Sequence, residues 1–150
     1  MSDNYIVLIP DDPDYVPSPE DQQTALALLR EIARNADEVV AESTDRIQFI
    51  DCGGNFESVS CPNCGAEMQV EWWQDRMSED YDGGFSLARF ALPCCGSRHT
   101  LHELRYKFLQ GFARFQLVAR NPDISPLSES QLTEFAAVLH CNVRQILRHL

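Results

Sequence analysis

Long apolar runs are missing from this 150-residue chain; Ala25-Leu26-Ala27-Leu28-Leu29 is typical of the longest. That falls well short of the roughly 18 residues a membrane helix needs. The opening Met1-Ser2-Asp3-Asn4-Tyr5-Ile6 has neither a basic n-region nor an apolar h-region, so no secretory signal is read there and a cytoplasmic protein is expected. Catalytic signatures are also missing. There is no H-E-x-x-H, no H-x-E followed by P-C-x-x-C, no G-x-S-x-G elbow and no phosphate-cradling glycine loop. No internal repeat or low-complexity tract is visible.

Positive charge is scarce, with 12 Lys and Arg against 23 Asp and Glu, a net of −11. Residues 1–60 hold three arginines against 13 acids, a net of −10, whereas residues 61–150 hold 9 bases and 10 acids. A surface so acidic repels phosphate backbones and attracts basic ones, which makes nucleic acid an unlikely partner and a protein with a basic surface the expected one. One stretch runs the other way. Between Gly83 and Asn121 the single acid Glu103 faces Arg89, Arg98, Arg105, Lys107, Arg114 and Arg120. The bland alternative is that surplus acid only keeps the protein soluble.

Six cysteines stand at 52, 61, 64, 94, 95 and 141. Without an export signal a disulfide framework is not expected, because reducing compartments keep thiols free. Cys61-Pro62-Asn63-Cys64-Gly65 is a tight C-x-x-C-G turn that aims two thiolates at one point, with Gly65 free to take positive φ after the second. A second group, Leu92-Pro93-Cys94-Cys95-Gly96, follows after 29 intervening residues. Residues 57–100 thereby resemble the zinc-ribbon family, in which two cysteine knuckles at hairpin tips hold one structural Zn²⁺. The resemblance matches Cys61 and Cys64 to the first knuckle and Cys95-Gly96 to the end of the second. It departs at Leu92, where the usual first cysteine of that knuckle would fall, and offers the adjacent Cys94 instead. The metal set read here is Cys61, Cys64, Cys94 and Cys95, with His99 or His102 as the alternative fourth ligand. Four thiolates leave no open position for a reactant, so a catalytic metal is not expected.

Along the rest of the chain, Tyr5–Ile9 reads as a buried strand. Ser18 caps a helix with Pro19 at its first position and an apolar stripe of Ala25, Leu28, Leu29, Ile32, Ala33 and Ala36. Arg46–Ile50 forms a second strand, with an extended piece near Glu38–Ala41. Gly111–Ala119 alternates as a third. A helix with a Ser128–Gln131 capping box and a Leu127–Leu132 staple precedes a C-terminal segment, 142–147, read as a strand in preference to a helical turn. The order strand, helix, strand, then strand, helix, strand predicts an α+β, ferredoxin-like split β-α-β sandwich. Residues 1–56 and 108–150 would make its core, and 57–107 an inserted zinc-ribbon hairpin.

Inside the insert, Ala66–Trp72 alternates as a strand, which would set Trp72 and Trp73 on opposite faces and leave one ring outside. The segment Ser78–Gly84 would then be the hairpin's acidic tip. Trp73, Glu79, Asp80, Tyr81 and Asp82 are accordingly the candidate partner-binding residues. Cys52 has Asp51 beside it and no helix N-terminus after it, which argues against a nucleophile. Cys141 reads as a small buried apolar residue. The function these features predict is a non-catalytic, zinc-stapled acidic binding module. Immunity proteins, which mask basic toxins or nucleases, are similar to it in composition and size. A nucleic-acid or transcription-associated zinc ribbon is the alternative.

Overall fold

The computed structural model describes residues 2–150. Four strands form the main sheet: β1 (Asn4–Pro10), β2 (Glu38–Ile50), β7 (Gly111–Arg120) and β8 (Val143–His149). They lie in the order β2-β7-β1-β8 and are antiparallel throughout. Helix α1 (Pro19–Ile32) connects β1 to β2, and α3 (Glu129–Leu139) connects β7 to β8. This is an α+β fold.

The α1 and α3 ends follow from the capping residues. Ser18 accepts from Asp21 N at 3.1 Å, and Ser128 and Gln131 form the reciprocal capping box. Both helices lie on one face of the sheet, where Ala25, Leu26, Leu29, Phe135 and Leu139 meet Ile6, Leu8, Phe115, Leu117 and Ala119. Alternation puts Val7, Ile9 and Ile146 on the other face with Cys52 and Ile50, where Phe56 packs against them.

The two extended pieces expected around 38–41 and 46–50 are one strand. A bulge between Ser43 and Gln48 absorbs the break in its pairing with β7. Ile50 pairs with Gly111, so the intervening segment leaves and re-enters the sheet at neighbouring strand ends. That segment contains β3 (Val59–Ser60), α2 (Val70–Asp80), β4 (Phe90–Ala91), β5 (Arg98–His99), a 3₁₀ turn at Leu101–Glu103 and β6 (Arg105–Tyr106).

The strand expected at Ala66–Trp72 is absent, and helix α2 stands between the two cysteine groups in place of hairpin strands. Val70, Trp73 and Met77 recur at i, i+3 and i+7, a helical stripe that the short alternation before it concealed. These three residues pack with Val59, Met68, Leu92, Leu101, Tyr106 and Phe112 in a core of their own, continuous with β2 and β7 through Ile47 and Phe112.

Candidate metal centre

Two short hairpins carry the cysteines. Ser60 bridges Glu67 around the first loop, and Phe90–Ala91 pairs with Arg98–His99 around the second. The two loops share one backbone pattern. Cys61 N–H donates to Ala66 O and Gly65 N–H to Cys61 O, each at 2.9 Å. Leu92 N–H donates to Ser97 O and Gly96 N–H to Leu92 O, also at 2.9 Å. Gly65 and Gly96 take φ of 79° and 76°, which an L side chain resists at the point where each loop turns back.

Leu92 therefore occupies the position that Cys61 fills in the first loop, and its side chain is buried in the apolar core beneath. The missing sulfur is replaced from within the loop. Cys94 sits one residue ahead of the matching ligand position and turns its thiol toward the same point, so that the four Sγ atoms of Cys61, Cys64, Cys94 and Cys95 all lie within 4.8 Å of one another. Cys61 and Cys95 are 3.7 Å apart and Cys94 and Cys95 3.9 Å. A tetrahedron of sulfurs about 2.3 Å from a zinc-sized ion has edges of about 3.8 Å. The donor set fits a divalent ion such as zinc.

Hydrogen bonds prepare the sulfurs to carry charge. The N–H groups of Asn63 and Cys64 point at Cys61 Sγ at 3.3 and 3.4 Å. Burial pushes the Cys61 thiol up, but these donors together with the side chains of Ser97 and Cys94 outweigh it and hold it below its usual value. Ser97 Oγ, 3.1 Å away, and Asn63 Nδ2, 3.5 Å away, bring Cys95 down to about 6. Desolvation first, and then bonds from the neighbouring thiols, push Cys94 up to about 12. A metal ion must therefore displace protons as it binds.

Ser97 was not singled out by the sequence. Its hydroxyl lies 3.7 Å from Cys61 Sγ as well as against Cys95, and it meets His99 Nε2 at 3.0 Å. His99 Nδ1 in turn faces Glu103 at 3.8 Å, and Glu103 is held by Arg89 in a two-pronged pair. The only local sign was a hydroxyl residue directly after the Cys-Gly of the second loop.

His99 and His102 stand outside the four-sulfur cluster. His102 is buried, accepting from Phe112 N–H through Nδ1 at 3.0 Å and donating through Nε2 to Asp11 O at 2.7 Å. Both ring nitrogens are thus spent joining the inserted segment to β7 and to the loop after β1. Burial, and then the Arg144 charge, lower its pKa to about 4.

Trp73, expected to face a partner, is in the core instead. It stacks on Phe56 at 5.2 Å and donates from Nε1 to the Tyr106 hydroxyl at 3.1 Å. Asp80 is turned into its own loop, accepting from Ser86 Oγ and from Leu87 N–H. Glu79 pairs with Arg76, while Tyr81 is half exposed against Phe85 and Asp82 lies at the surface. Of the basic stretch, Arg89 is paired to Glu103 and Lys107 to Glu57. Cys52 is fully buried, its N–H and thiol both directed at Gln110 Oε1, and burial pushes the thiol up. Burial also pushes Cys141 up, to about 11. No helix among the described residues is long and apolar enough to cross a membrane.

No family model matches this chain, and neither a curated protein nor a solved structure matches it.

Proposed function

We propose that Cys61, Cys64, Cys94 and Cys95 hold one structural Zn²⁺ and that the chain is a non-catalytic, cytoplasmic binding module for a protein with a basic surface. An inhibitor or immunity-type role, masking a basic toxin or nuclease, is the form of this reading that its charge favours. The observation carrying the metal assignment is the four-sulfur cluster itself. Four thiolates fill a tetrahedral sphere, the mark of a structural site, whereas catalytic zinc keeps a position for water or substrate. In this reading the ion supplies folding energy, tying the two loops together over the core that contains Trp73 and Tyr106.

The binding half of the proposal rests on charge distribution. Residues 1–60 carry a net of −10, with Glu20, Asp21 and Glu31 on α1, Glu38, Glu42 and Asp45 on β2, and the remaining acids in the segments around them. Such a field speeds encounter with a cationic partner and suppresses anionic ones. The test is affinity capture by the zinc-loaded protein from its source cell at low and high salt. A basic protein retained at low salt and released at high salt is expected. Recovery of no partner at either salt would count against the binding role while leaving the metal assignment standing.

A further inference from the structure

The main sheet has two edges, and they are treated differently. Along β8, the 52–55 segment closes the end nearest the C-terminus. Gly54 N–H donates to His149 O at 2.7 Å, His149 N–H to Cys52 O at 3.3 Å, and Asn55 Nδ2 to Leu147 O at 2.9 Å. Along β2, only the second half is covered, where Phe85 N–H donates to Ile47 O and Gly83 and Gly84 lie against Arg46. Among the described residues, no strand lies beyond the first half of β2.

Register fixes which groups of that half face outward. Asn121 N–H donates to Asn4 O, so on β7 residues 117 and 119 bond to β1, while 116, 118 and 120 bond to β2. Their partners Glu42, Val40 and Glu38 are thereby spent, and the N–H and C=O of Val39, Ala41 and Ser43 turn outward. Arg30 Nη2 reaches Val39 O at 3.2 Å; no hydrogen bond to the Ala41 or Ser43 amides is seen among the described residues. Glu38 and Glu42 flank this edge on the face opposite the helices, and Asp45 follows, all exposed and in no ion pair among the described residues. Val39 and Ala41 lie on the helix face, packed against the main core.

Sheet edges that must stay unpaired are normally shortened, covered or charged. Acidic flanks turn away another acidic strand, including a second copy of this chain, and favour a basic one. We infer that the 39–43 edge of β2 accepts an extended basic peptide segment as an added strand. Its lysines or arginines lie opposite Glu38 and Glu42, and small or apolar residues alternate with them over Val39 and Ala41. This rests on the binding role proposed above and gives it a location.

The probe is a synthetic peptide about six residues long that alternates Lys with Val or Thr, compared with its Glu-for-Lys counterpart. Saturable binding of the basic peptide alone is expected, with amide shifts in the NMR spectrum centred on Val39, Ala41 and Ser43. Ala41→Pro removes one outward N–H from an edge position where proline is tolerated, and should weaken binding about tenfold. Glu38→Gln with Glu42→Gln should flatten the salt dependence.

A control independent of protein folding is N-methylation of the peptide. Methyl groups on alternate amides on one side should abolish binding, and on the other side should be neutral. Equal tolerance on both sides, or shifts centred elsewhere, would overturn the edge assignment while leaving the binding role intact. Failure of the basic peptide to bind, alongside successful capture of a basic protein from the cell, would likewise sink the edge and spare the role. Failure of both would sink the two together.

Discussion

At the scale of single residues, the centre depends on how the second loop compensates for a leucine. Cys94 supplies the fourth sulfur, and the Ser97 hydroxyl serves Cys95 and lies against Cys61 as well, beside the two backbone N–H groups that already serve Cys61. Groups that hydrogen-bond to ligands typically change metal affinity by about 10- to 100-fold when removed. Ser97→Ala should therefore lower zinc affinity by at least about tenfold in a competition with a chromogenic chelator, and Ser97→Thr should restore most of it. His102 makes a separate prediction. Its folded-state pKa lies below the ordinary histidine value, so its contribution to stability is complete above about pH 6.5 and is lost as pH falls toward 4. A drop of that size corresponds to up to about 3 kcal/mol. Denaturant midpoints of the zinc-loaded protein should fall across this window more steeply than those of His102→Gln. Parallel curves would show that the imidazole does not hold the inserted segment to the sheet.

At the scale of elements, the two cysteine loops and the helix between them share one apolar core. Cys61 and Leu92 belong to it with Trp73 and Tyr106, so an ion bound by the cysteines would brace the same structure as the core. Stripping the metal with a strong chelator should collapse the near-ultraviolet circular dichroism from Trp73. The far-ultraviolet signal of the main sheet and its two helices should largely persist, because their core contains none of the cysteine ligands. An unchanged near-ultraviolet spectrum would mean that the loops stand without the ion.

The same elements show what the sequence could and could not reveal. The first knuckle was legible because C-P-x-C-G encodes its own turn, and the caps at Ser18 and Ser128 are local as well. Helix α2 was not, since an alternation of a few residues at Ala66–Trp72 is also compatible with the start of a helical stripe, and only tertiary packing around Phe56 and Tyr106 decides between them. The role of His102 was hidden because its partners Asp11 and Phe112 are remote or backbone groups, which side-chain spacing does not report.

At the scale of the whole molecule, the net negative charge is concentrated in residues 1–60, on α1, β2 and the segments around them, and a zinc ion held by four thiolates would add a further formal −2. Long-range attraction between such a molecule and a basic partner decays over a Debye length of about 8 Å at physiological ionic strength. Association rates should accordingly fall steeply with salt while dissociation rates change little, as stopped-flow mixing with a purified partner would show. Salt effects confined to dissociation would mean that the charge of residues 1–60 does not steer the encounter.

The metal centre and the stability of the cysteine loops depend on a single ion closed off by sulfur. X-ray absorption on the purified protein, with metal content measured on the same sample, tests this most directly. One zinc per chain surrounded by four sulfur scatterers at about 2.3 Å is the predicted result. A substoichiometric metal, or a shell in which nitrogen or oxygen replaces one of the sulfurs, would contradict it.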